Sequence, residues 1–288
     1  SFSGALSSGG SFYYHSELTA SGVSPPVGPE RGGTRVVVLG GSFRDSYTLR
    51  CGFGSGAAPV LARFVDENQL ECIAPFHLPG VVKVLLSMNG QQYMDSGATY
   101  EYQSALSVSF VSPGSVLAEG GTPITVHGSG FSSASEALGL LTCRIGSAVR
   151  RAVWASSSAL VCNTTRAMAG SARVEVSNNA REYTSDGVRI KLVSVRVLDV
   201  QPWSGPLSGA TVVSVRAFGA WPGGLRCRFG DGASSAGWNA GGSSRLRCVT
   251  PPSSAGMAGW VSMQLSSFSG ALSSCLLYTS PSPRDSYG

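Results

Sequence analysis

Gly32-Gly33-Thr34-Arg35-Val36-Val37-Val38-Leu39 is the most informative segment of this chain, because similar segments follow it at regular distances. Gly120-Gly121-Thr122 precedes Ile124-Thr125-Val126, and Ser208-Gly209-Ala210-Thr211 precedes Val212-Val213-Ser214-Val215. The three threonines are spaced by 88 and 89 residues. A glycine turn followed by a short β-branched run is typical of a strand that leaves a tight turn. A repeat of this length indicates tandem copies of one small domain.

Six of the seven cysteines form a second repeated pattern. One cysteine of each repeat lies in Cys-x-apolar-Gly, in the segments Cys51-Gly52-Phe53-Gly54, Cys143-Arg144-Ile145-Gly146 and Cys227-Arg228-Phe229-Gly230. The other lies in Leu-x-Cys, in the segments Leu70-Glu71-Cys72, Leu160-Val161-Cys162 and Leu246-Arg247-Cys248. The two cysteines of a repeat are separated by 21, 19 and 21 residues. A proline follows three residues after Cys72 and Cys248, whereas Thr165 holds that place in the second repeat.

The composition of the 288 residues favours strands and turns. Glycine (38) and proline (15) are abundant, and a hydrophobic fraction of 42 % is enough for packed cores, which excludes general disorder. Short apolar runs at 36–39, 62–65, 81–88 and 173–177 predict strands, with Asn89-Gly90 and Asn178-Asn179 as turns. We interpret residues 132–141 as a loop, because Gly139 interrupts a weak helical pattern. No uncharged apolar run approaches the roughly 18 residues of a membrane-spanning helix.

Strands at about ten-residue spacing, without a long helical period, predict an all-β chain of Ig-like β-sandwiches in tandem. We expect domains at 20–103, 104–192 and 193–274. The octapeptide Ser1-Phe2-Ser3-Gly4-Ala5-Leu6-Ser7-Ser8 recurs at 267–274. Residues 1–16 are therefore expected to be the last strand of a preceding repeat, and the third domain is expected to lack its last strand. The tail 275–288 is either read-through into a cloning or sequencing adapter or a Ser/Pro linker, and the chain is expected to be a fragment of a longer array.

The repeats resemble the IPT/TIG family, the Ig-like modules shared by plexins and transcription factors. That family opens with a Ser-Pro-x-x-Gly-like segment, continues through Gly-Gly-Thr, a strand and Gly-x-x-Phe, and closes near aromatic-x-Tyr. The first repeat contains Ser24-Pro25-Pro26-Val27-Gly28, Gly40-Gly41-Ser42-Phe43 and Tyr100-Glu101-Tyr102. The second contains Val111-Ser112-Pro113-Gly114 and Gly128-Ser129-Gly130-Phe131. The third opens with Val200-Gln201-Pro202-Trp203-Ser204-Gly205-Pro206, and Ala217-Phe218-Gly219 stands in place of the usual turn.

This resemblance implies tandem Ig-like β-sandwiches of the IPT/TIG type. The combination of Cys-x-Phe-Gly with Leu-x-Cys-x-x-Pro is similar to the extracellular branch of the family, found in fibrocystin-like and plexin-like proteins and in large protist surface proteins. It implies an ectodomain of a larger protein, located outside the cell or at its surface. The sequence departs from the family pattern after Cys162 and at the turn of the third repeat. These departures concern the loops at those places and not the fold.

The paired cysteines favour one disulfide per domain, formed by Cys51 with Cys72, Cys143 with Cys162 and Cys227 with Cys248. The alternative is a metal site or redox-active thiols. The chain has no Cys-x-x-Cys, and its three histidines, His15, His77 and His127, fall at unlike positions of the repeats. A zinc site needs about four converging ligands. We expect no metal and no cofactor, and Cys275 is the odd cysteine, in the tail.

Other residues give little support for catalysis. The chain has no Gly-x-Ser-x-Gly, so we expect no catalytic residue and no enzyme in this segment. The carboxylates Asp66, Glu67 and Glu71 are interpreted as a solvated sheet edge. Among the five tryptophans, Trp203 and Trp221 are candidates for a binding surface, although core or interdomain packing is the favoured role. Asn163-Thr164-Thr165 is an N-glycosylation sequon.

The functional hypothesis is a non-catalytic extracellular module that acts as a spacer and as a scaffold for a protein or glycan ligand. Short linkers near 103–106 and 192–197 predict that consecutive domains abut. The alternative is an intracellular, transcription-factor-like TIG protein that contributes to DNA binding or dimerisation. The net charge of +5 is dispersed over scattered arginines and only two lysines, so no nucleic-acid partner is expected. Contact with a membrane is expected only through other parts of the parent protein.

Overall fold

The computed structural model describes residues 14, 16, 18–219, 225–230, 234–239, 245–253 and 259–267. The chain divides into two units, Ser1–Ala105 and Leu106–Gly288. In both units the described residues form strands almost throughout, which confirms the all-β prediction of Ig-like sandwiches in tandem. The described part of the chain contains no helix with the length and apolarity needed to cross a membrane.

The first unit forms one sandwich. Its described strands are β1 (Thr19–Ser24), β2 (Val27–Pro29), β3 (Arg35–Gly41), β4 (Arg50–Phe53), β5 (Val60–Asp66), β6 (Gln69–Ile73), β7 (Gly80–Ser87) and β8 (Met94–Gln103). One antiparallel sheet has the order β1-β3-β6-β5. The other has the order β4-β7-β8-β2, in which β2 pairs with β8 in parallel.

The second unit begins with a sandwich of the same topology. Its elements are β9 (Ser107–Ser112), β10 (Ser115–Leu117), β11 (Pro123–Ser129), α1 (Ser133–Ala137), β12 (Thr142–Ile145), β13 (Ala148–Arg151), β14 (Val153–Ser156), β15 (Ala159–Asn163), β16 (Gly170–Ser177) and β17 (Arg189–Val193). One sheet has the order β14-β15-β11-β9, and the other has the order β10-β17-β16-β12-β13. The strand β10 pairs in parallel with β17, as β2 does with β8.

The rest of the second unit repeats this arrangement again. Its described strands are β18 (Arg196–Gln201), β19 (Val212–Phe218), β20 (Leu225–Phe229), β21 (Ser234–Ala236), β22 (Trp238–Asn239), β23 (Arg245–Val249) and β24 (Met263–Ser267). They form sheets of order β18-β19-β23-β22 and β21-β20-β24. Within the described ranges β24 pairs only with β20, and the prediction that the third domain lacks its last strand concerns residues outside those ranges.

One strand of each sandwich passes from one sheet to the other. In β5, Val60 and Leu61 pair with β4, whereas the residues from Ala62 onward pair with β6. The second sandwich divides this strand at Ala152 into β13 and β14, and the third divides it at Gly237 into β21 and β22. The crossing strand therefore links the two layers around each core.

The alternation of side chains along the strands places three hydrophobic cores between the sheets. In β3, for example, Val36 and Val38 are fully buried. In β10, Val116 lies in the core of the second sandwich, whereas the adjacent Leu117 lies in the core of the third. Val195, one of the two residues between β17 and β18, is also fully buried there, so these two sandwiches pack directly against each other.

The interpretation of residues 132–141 as a loop is wrong, because α1 occupies Ser133–Ala137. The Ser132 hydroxyl caps the helix by accepting a hydrogen bond from the Ser135 amide. Gly139 does not interrupt the helix but ends it, with φ +68°. The amides of Gly139 and Leu140 then donate to the carbonyls of Glu136 and Ser135, at 2.7 and 2.8 Å, which satisfies the last turn.

The expected strand within residues 1–16 lies outside the described residues, apart from Tyr14 and Ser16, neither of which is in a strand. The tail 275–288 also lies outside them.

Candidate functional site

The glycine turn that opens each repeat docks on the segment after the second cysteine. In the first sandwich the Gly33 amide donates to the Ala74 carbonyl at 2.8 Å, and the Ala74 amide donates to the Thr34 carbonyl at 2.9 Å. The other sandwiches contain the same two bonds, formed by Gly121, Thr164 and Thr122 and by Ala210, Thr250 and Thr211. The two motifs found in the sequence are therefore one structural unit, placed at one end of each sandwich.

The first glycine of this turn has no room for a side chain. Gly32, Gly120 and Gly209 have φ values of +73°, +81° and +75°. A Cβ atom on Gly32 would lie 2.5 Å from the carbonyl carbon of Pro75. The requirement for glycine thus comes from both a left-handed backbone and a close approach of two main chains.

The second position of the turn needs only the left-handed backbone. A Cβ atom on Gly33, with φ +89°, would meet nothing within 4 Å. The third repeat has Ala210 at this position, with φ +64°. The turn keeps its hydrogen bonds there and carries the strain of a non-glycine residue.

The three cysteine pairs predicted from the sequence lie together in the three cores. Disulfides join Cys51 to Cys72, Cys143 to Cys162 and Cys227 to Cys248, with Cα–Cα distances of 6.4, 6.4 and 6.2 Å. All six cysteines are buried. In each sandwich one cysteine lies in one sheet and its partner lies in the other sheet. Both strands that carry the cysteines pair with the crossing strand. The disulfide therefore spans the core between the two layers.

The sequon residue Asn163 is the last residue of β15, and its side chain is exposed. Thr164 is buried, and its hydroxyl accepts a hydrogen bond from the Thr122 amide at 3.0 Å. Pro123 lies opposite Asn163 in the ladder. The sequon thus begins at the end of a strand, next to the glycine turn, with the asparagine side chain exposed.

The interpretation of Asp66, Glu67 and Glu71 as a solvated edge is wrong for Glu71. Glu71 is in β6, between β3 and β5, and its side chain is only 11 % exposed. Its carboxylate accepts from the guanidinium groups of Arg35 and Arg63, at 2.7 and 3.0 Å. The register of β3, β6 and β5 brings these charges together on the outer face of the sheet, which the linear sequence does not reveal.

The aromatic-x-Tyr segment at the end of the first repeat forms part of the core. Tyr100 and Tyr102 are 0 and 1 % exposed, and their ring centroids lie 5.4 and 6.4 Å from that of Phe53. His77 stacks on Tyr102 with a centroid distance of 4.9 Å. Burial, together with the neighbouring Tyr100, holds the pKa of Tyr102 well above its usual value of 10.0. The two tyrosine rings are packed within the first core.

The tryptophans divide into packed and exposed groups. Trp154 packs on the second core and donates its indole N–H to the Phe131 carbonyl at 3.1 Å. Core packing is wrong for Trp203 and Trp260, because they are 70 and 63 % exposed; their rings stack on each other with a centroid distance of 5.9 Å. Trp238 is also exposed, and Trp221 lies outside the described residues.

The described residues contain no cluster of three or more His, Cys, Asp or Glu side chains arranged for a metal ion. A shallow surface depression of about 670 Å³ in the first sandwich is lined by residues 45–47 and 61–64. Its charged groups are Asp45 and Arg63, and Arg63 is already paired with Glu71. This lining contains no nucleophile held by a base.

Comparison with curated proteins finds two human relatives. Plexin-A4 of Homo sapiens is 26 % identical over 151 residues, covering 50 % of this chain and 8 % of that protein. Fibrocystin-L of Homo sapiens is 26 % identical over 168 residues, covering 57 % of this chain and 4 % of that protein. The chain therefore spans less than a tenth of the length of these curated relatives.

Among solved structures, the full extracellular region of plexin A4 has the same fold. It matches with a TM-score of 0.50 and 17 % identity, covering 86 % of this chain and 23 % of that one. The sequence model of the IPT/TIG domain matches residues 18–102 and 106–191, which together are more than half of the chain. Those ranges contain the first two sandwiches with their glycine turns and cysteine pairs. The chain belongs to the IPT/TIG domain family.

Proposed function

We propose that this chain is a non-catalytic extracellular array of IPT/TIG domains that acts as a spacer and as a scaffold for a protein or glycan ligand. One observation carries the proposal. Each of three sandwiches has a buried cysteine pair that spans its two sheets at the same topological position. Such pairs persist as disulfides in oxidising compartments and are rare where thiols are kept reduced. The relatives named above support the same location.

The spacer role is supported by the packing within the second unit. Only two residues separate β17 from β18, and Leu117 of one sandwich completes the core of the next. Neighbours joined in this way resist bending, since any rotation would expose apolar side chains. We propose that residues 193–274 form a third IPT/TIG domain, supported by the repeated sheet order, turn and cysteine pair.

The test is a disulfide map of the chain expressed through a secretory route. Intact mass before and after reduction, followed by non-reducing peptide mapping, should give the links 51–72, 143–162 and 227–248. The secreted protein should then be screened against cell-surface proteins and glycans, where saturable binding is expected. Free thiols at these six positions in secreted protein would contradict the extracellular assignment. Tight, salt-sensitive binding to DNA would support the intracellular alternative instead.

A further inference from the structure

One of the two outer faces of the second sandwich carries no Asp, Glu, Lys or Arg side chain. This face belongs to the sheet β14-β15-β11-β9, whose inward residues, such as Ile124, Val126 and Leu160, fill the core. The alternate residues point outward, and we define the outer face by six of them: Phe110, Thr125, His127, Val153, Val161 and Asn163. None of the outward-pointing residues in these four described strands is Asp, Glu, Lys or Arg.

The apolar part of this face is accessible. Phe110 and Val153 are 55 and 59 % exposed. The Phe110 ring stacks on His127 of the neighbouring strand, with a centroid distance of 4.3 Å. Val161 lies between Thr125 and Val153 in the ladder. Water therefore contacts a continuous strip of uncharged side chains across the sheet.

The first sandwich has charged groups at the matching positions. Val161 and Glu71 each precede the second cysteine of their repeat, and each lies in the strand between two partners. Glu71 is opposite Arg63 as Val161 is opposite Val153. The ion pairs of Glu71 with Arg35 and Arg63 thus occupy the place of an uncharged strip in the second sandwich. Charged side chains on a sheet face interrupt the exposed apolar patches through which proteins associate.

The sequon lies on the same uncharged face. Asn163 has the same parity in β15 as Val161, so the two side chains emerge on one side of the sheet, about 7 Å apart along the strand. Phe110 lies two strands away, about 10 Å across the sheet, and about 13 Å back along it. A glycan attached to Asn163 begins at the edge of the uncharged strip and is long enough to extend over it.

We propose that an N-linked glycan on Asn163 covers the outer face of the second sandwich and takes over the role that the Glu71 ion pairs have in the first. The inference rests on the extracellular location proposed above. Sugar rings present C–H groups on their faces and hydroxyl groups at their rims. They can therefore pack on Val161, Val153 and Phe110 while they present a hydrated outer surface. The amide nitrogen of Asn163 is the attachment point.

The test compares glycosylated protein with two independent glycan-free variants, Asn163→Gln and Thr165→Ala, all secreted as the full chain. Intact mass should show a glycan on the wild type alone. Each variant should bind a hydrophobic dye severalfold more than the wild type and should self-associate in sedimentation velocity at concentrations where the wild type is monomeric. Asn68→Gln, an exposed asparagine outside any sequon, is the matched control and should behave as the wild type.

A rescue variant separates shielding from an indirect loss of folding. Asn163→Gln combined with Val161→Glu and Val153→Arg places the ion pair of the first sandwich on the second. It should restore low dye binding and the monomer without any glycan. An unmodified Asn163 in secreted, disulfide-mapped protein would overturn the inference and leave the extracellular location standing. Glycan-free variants with unchanged dye binding and sedimentation would overturn it as well. Free thiols would refute the proposed location itself.

Discussion

Val116 and Leu117 are neighbours in one three-residue strand, yet they lie in the cores of two different sandwiches. Successive residues of a strand point to opposite faces, and β10 has a core on each side of it. The amide that follows, of Ala118, donates to the Val193 carbonyl at 2.8 Å and holds the strand in place. The strand β10 therefore couples the second and third sandwiches, as β17 does through Leu192 in one core and Val193 in the other.

Substitution of Leu117 by alanine should destabilise the third sandwich, by about 3 kcal/mol, the usual loss for a buried leucine. Hydrogen exchange, resolved by peptide, should show lower protection in β19 and β23 and little change in β15. Val116→Ala is the matched control and should lower protection in β15 and β11 first. If both variants weakened the same peptides, the assignment of the two side chains to different cores would be wrong.

Removal of the second disulfide by Cys143→Ala with Cys162→Ala should lower the free energy of unfolding by about 3 kcal/mol, because the bond closes a loop of 19 residues in the unfolded chain. Chemical denaturation of the second sandwich under oxidising conditions checks this value. In a reducing buffer the difference between wild type and variant should shrink to the small packing loss. A difference that persists unchanged after reduction would show that the thiols, and not the bond, carry the stability.

The glycine turn offers a matched pair of substitutions. Ala210→Gly should stabilise the third sandwich by up to about 1 kcal/mol, because it relieves a left-handed alanine, and Gly33→Ala should cost the first sandwich a similar amount. Gly32→Ala should cost considerably more, since its Cβ atom would also collide with the Pro75 main chain. Equal losses at Gly32 and Gly33 in thermal unfolding would contradict this separation of strain from collision.

Tyr102 should make the first sandwich sensitive to alkaline pH. Its folded pKa is raised above 10.0 by burial, so folding favours the neutral phenol. The stabilisation is fully present below pH 10 and is lost as the pH rises further, because the unfolded chain then releases a proton that the folded chain retains. The free energy of unfolding should fall by about 1.4 kcal/mol per pH unit from this group.

Tyr102→Phe should remove that part of the slope and cost little below pH 10, because the described residues supply no hydrogen-bond partner for the Tyr102 hydroxyl. Tyr47→Phe, which removes a phenol that is 92 % exposed, is the control and should retain the wild-type slope. Urea denaturation at pH 8, 9, 10 and 11 measures both. If Tyr102→Phe left the pH dependence of the free energy of unfolding unchanged, another group would be responsible for the alkaline sensitivity.

Local patterns in the sequence predicted the strands well. The runs at 36–39 and 62–65 lie in β3 and β5, and 173–177 lies in β16, because alternating β-branched residues and flanking turns act over a few residues. The helix α1 was missed, because a glycine such as Gly139 can either interrupt a helix or end one, and the sequence does not distinguish the two roles. The cysteine pattern could be recognised in the sequence because it recurs at the same positions of the three repeats.

Features that depend on register between strands were beyond the sequence. Glu71 is ion-paired only because β3 and β5 flank β6, and its neighbours along the chain give no sign of this. In the sequence, the adjacent apolar residues Val116 and Leu117 are indistinguishable from any short buried strand. No periodicity shows that the two side chains belong to two different cores. The uncharged outer face, too, becomes visible only when four strands are set side by side.

The position of Leu117 also sets an order of events during synthesis. A chain leaves the ribosome from its amino-terminal end, so the second sandwich is complete before the strands of the third have emerged. The Leu117 side chain is then already in place, and Val195, Val213 and Val215 can pack against it. The finished second sandwich is thereby a template for the third, and the two mature in the direction of translation.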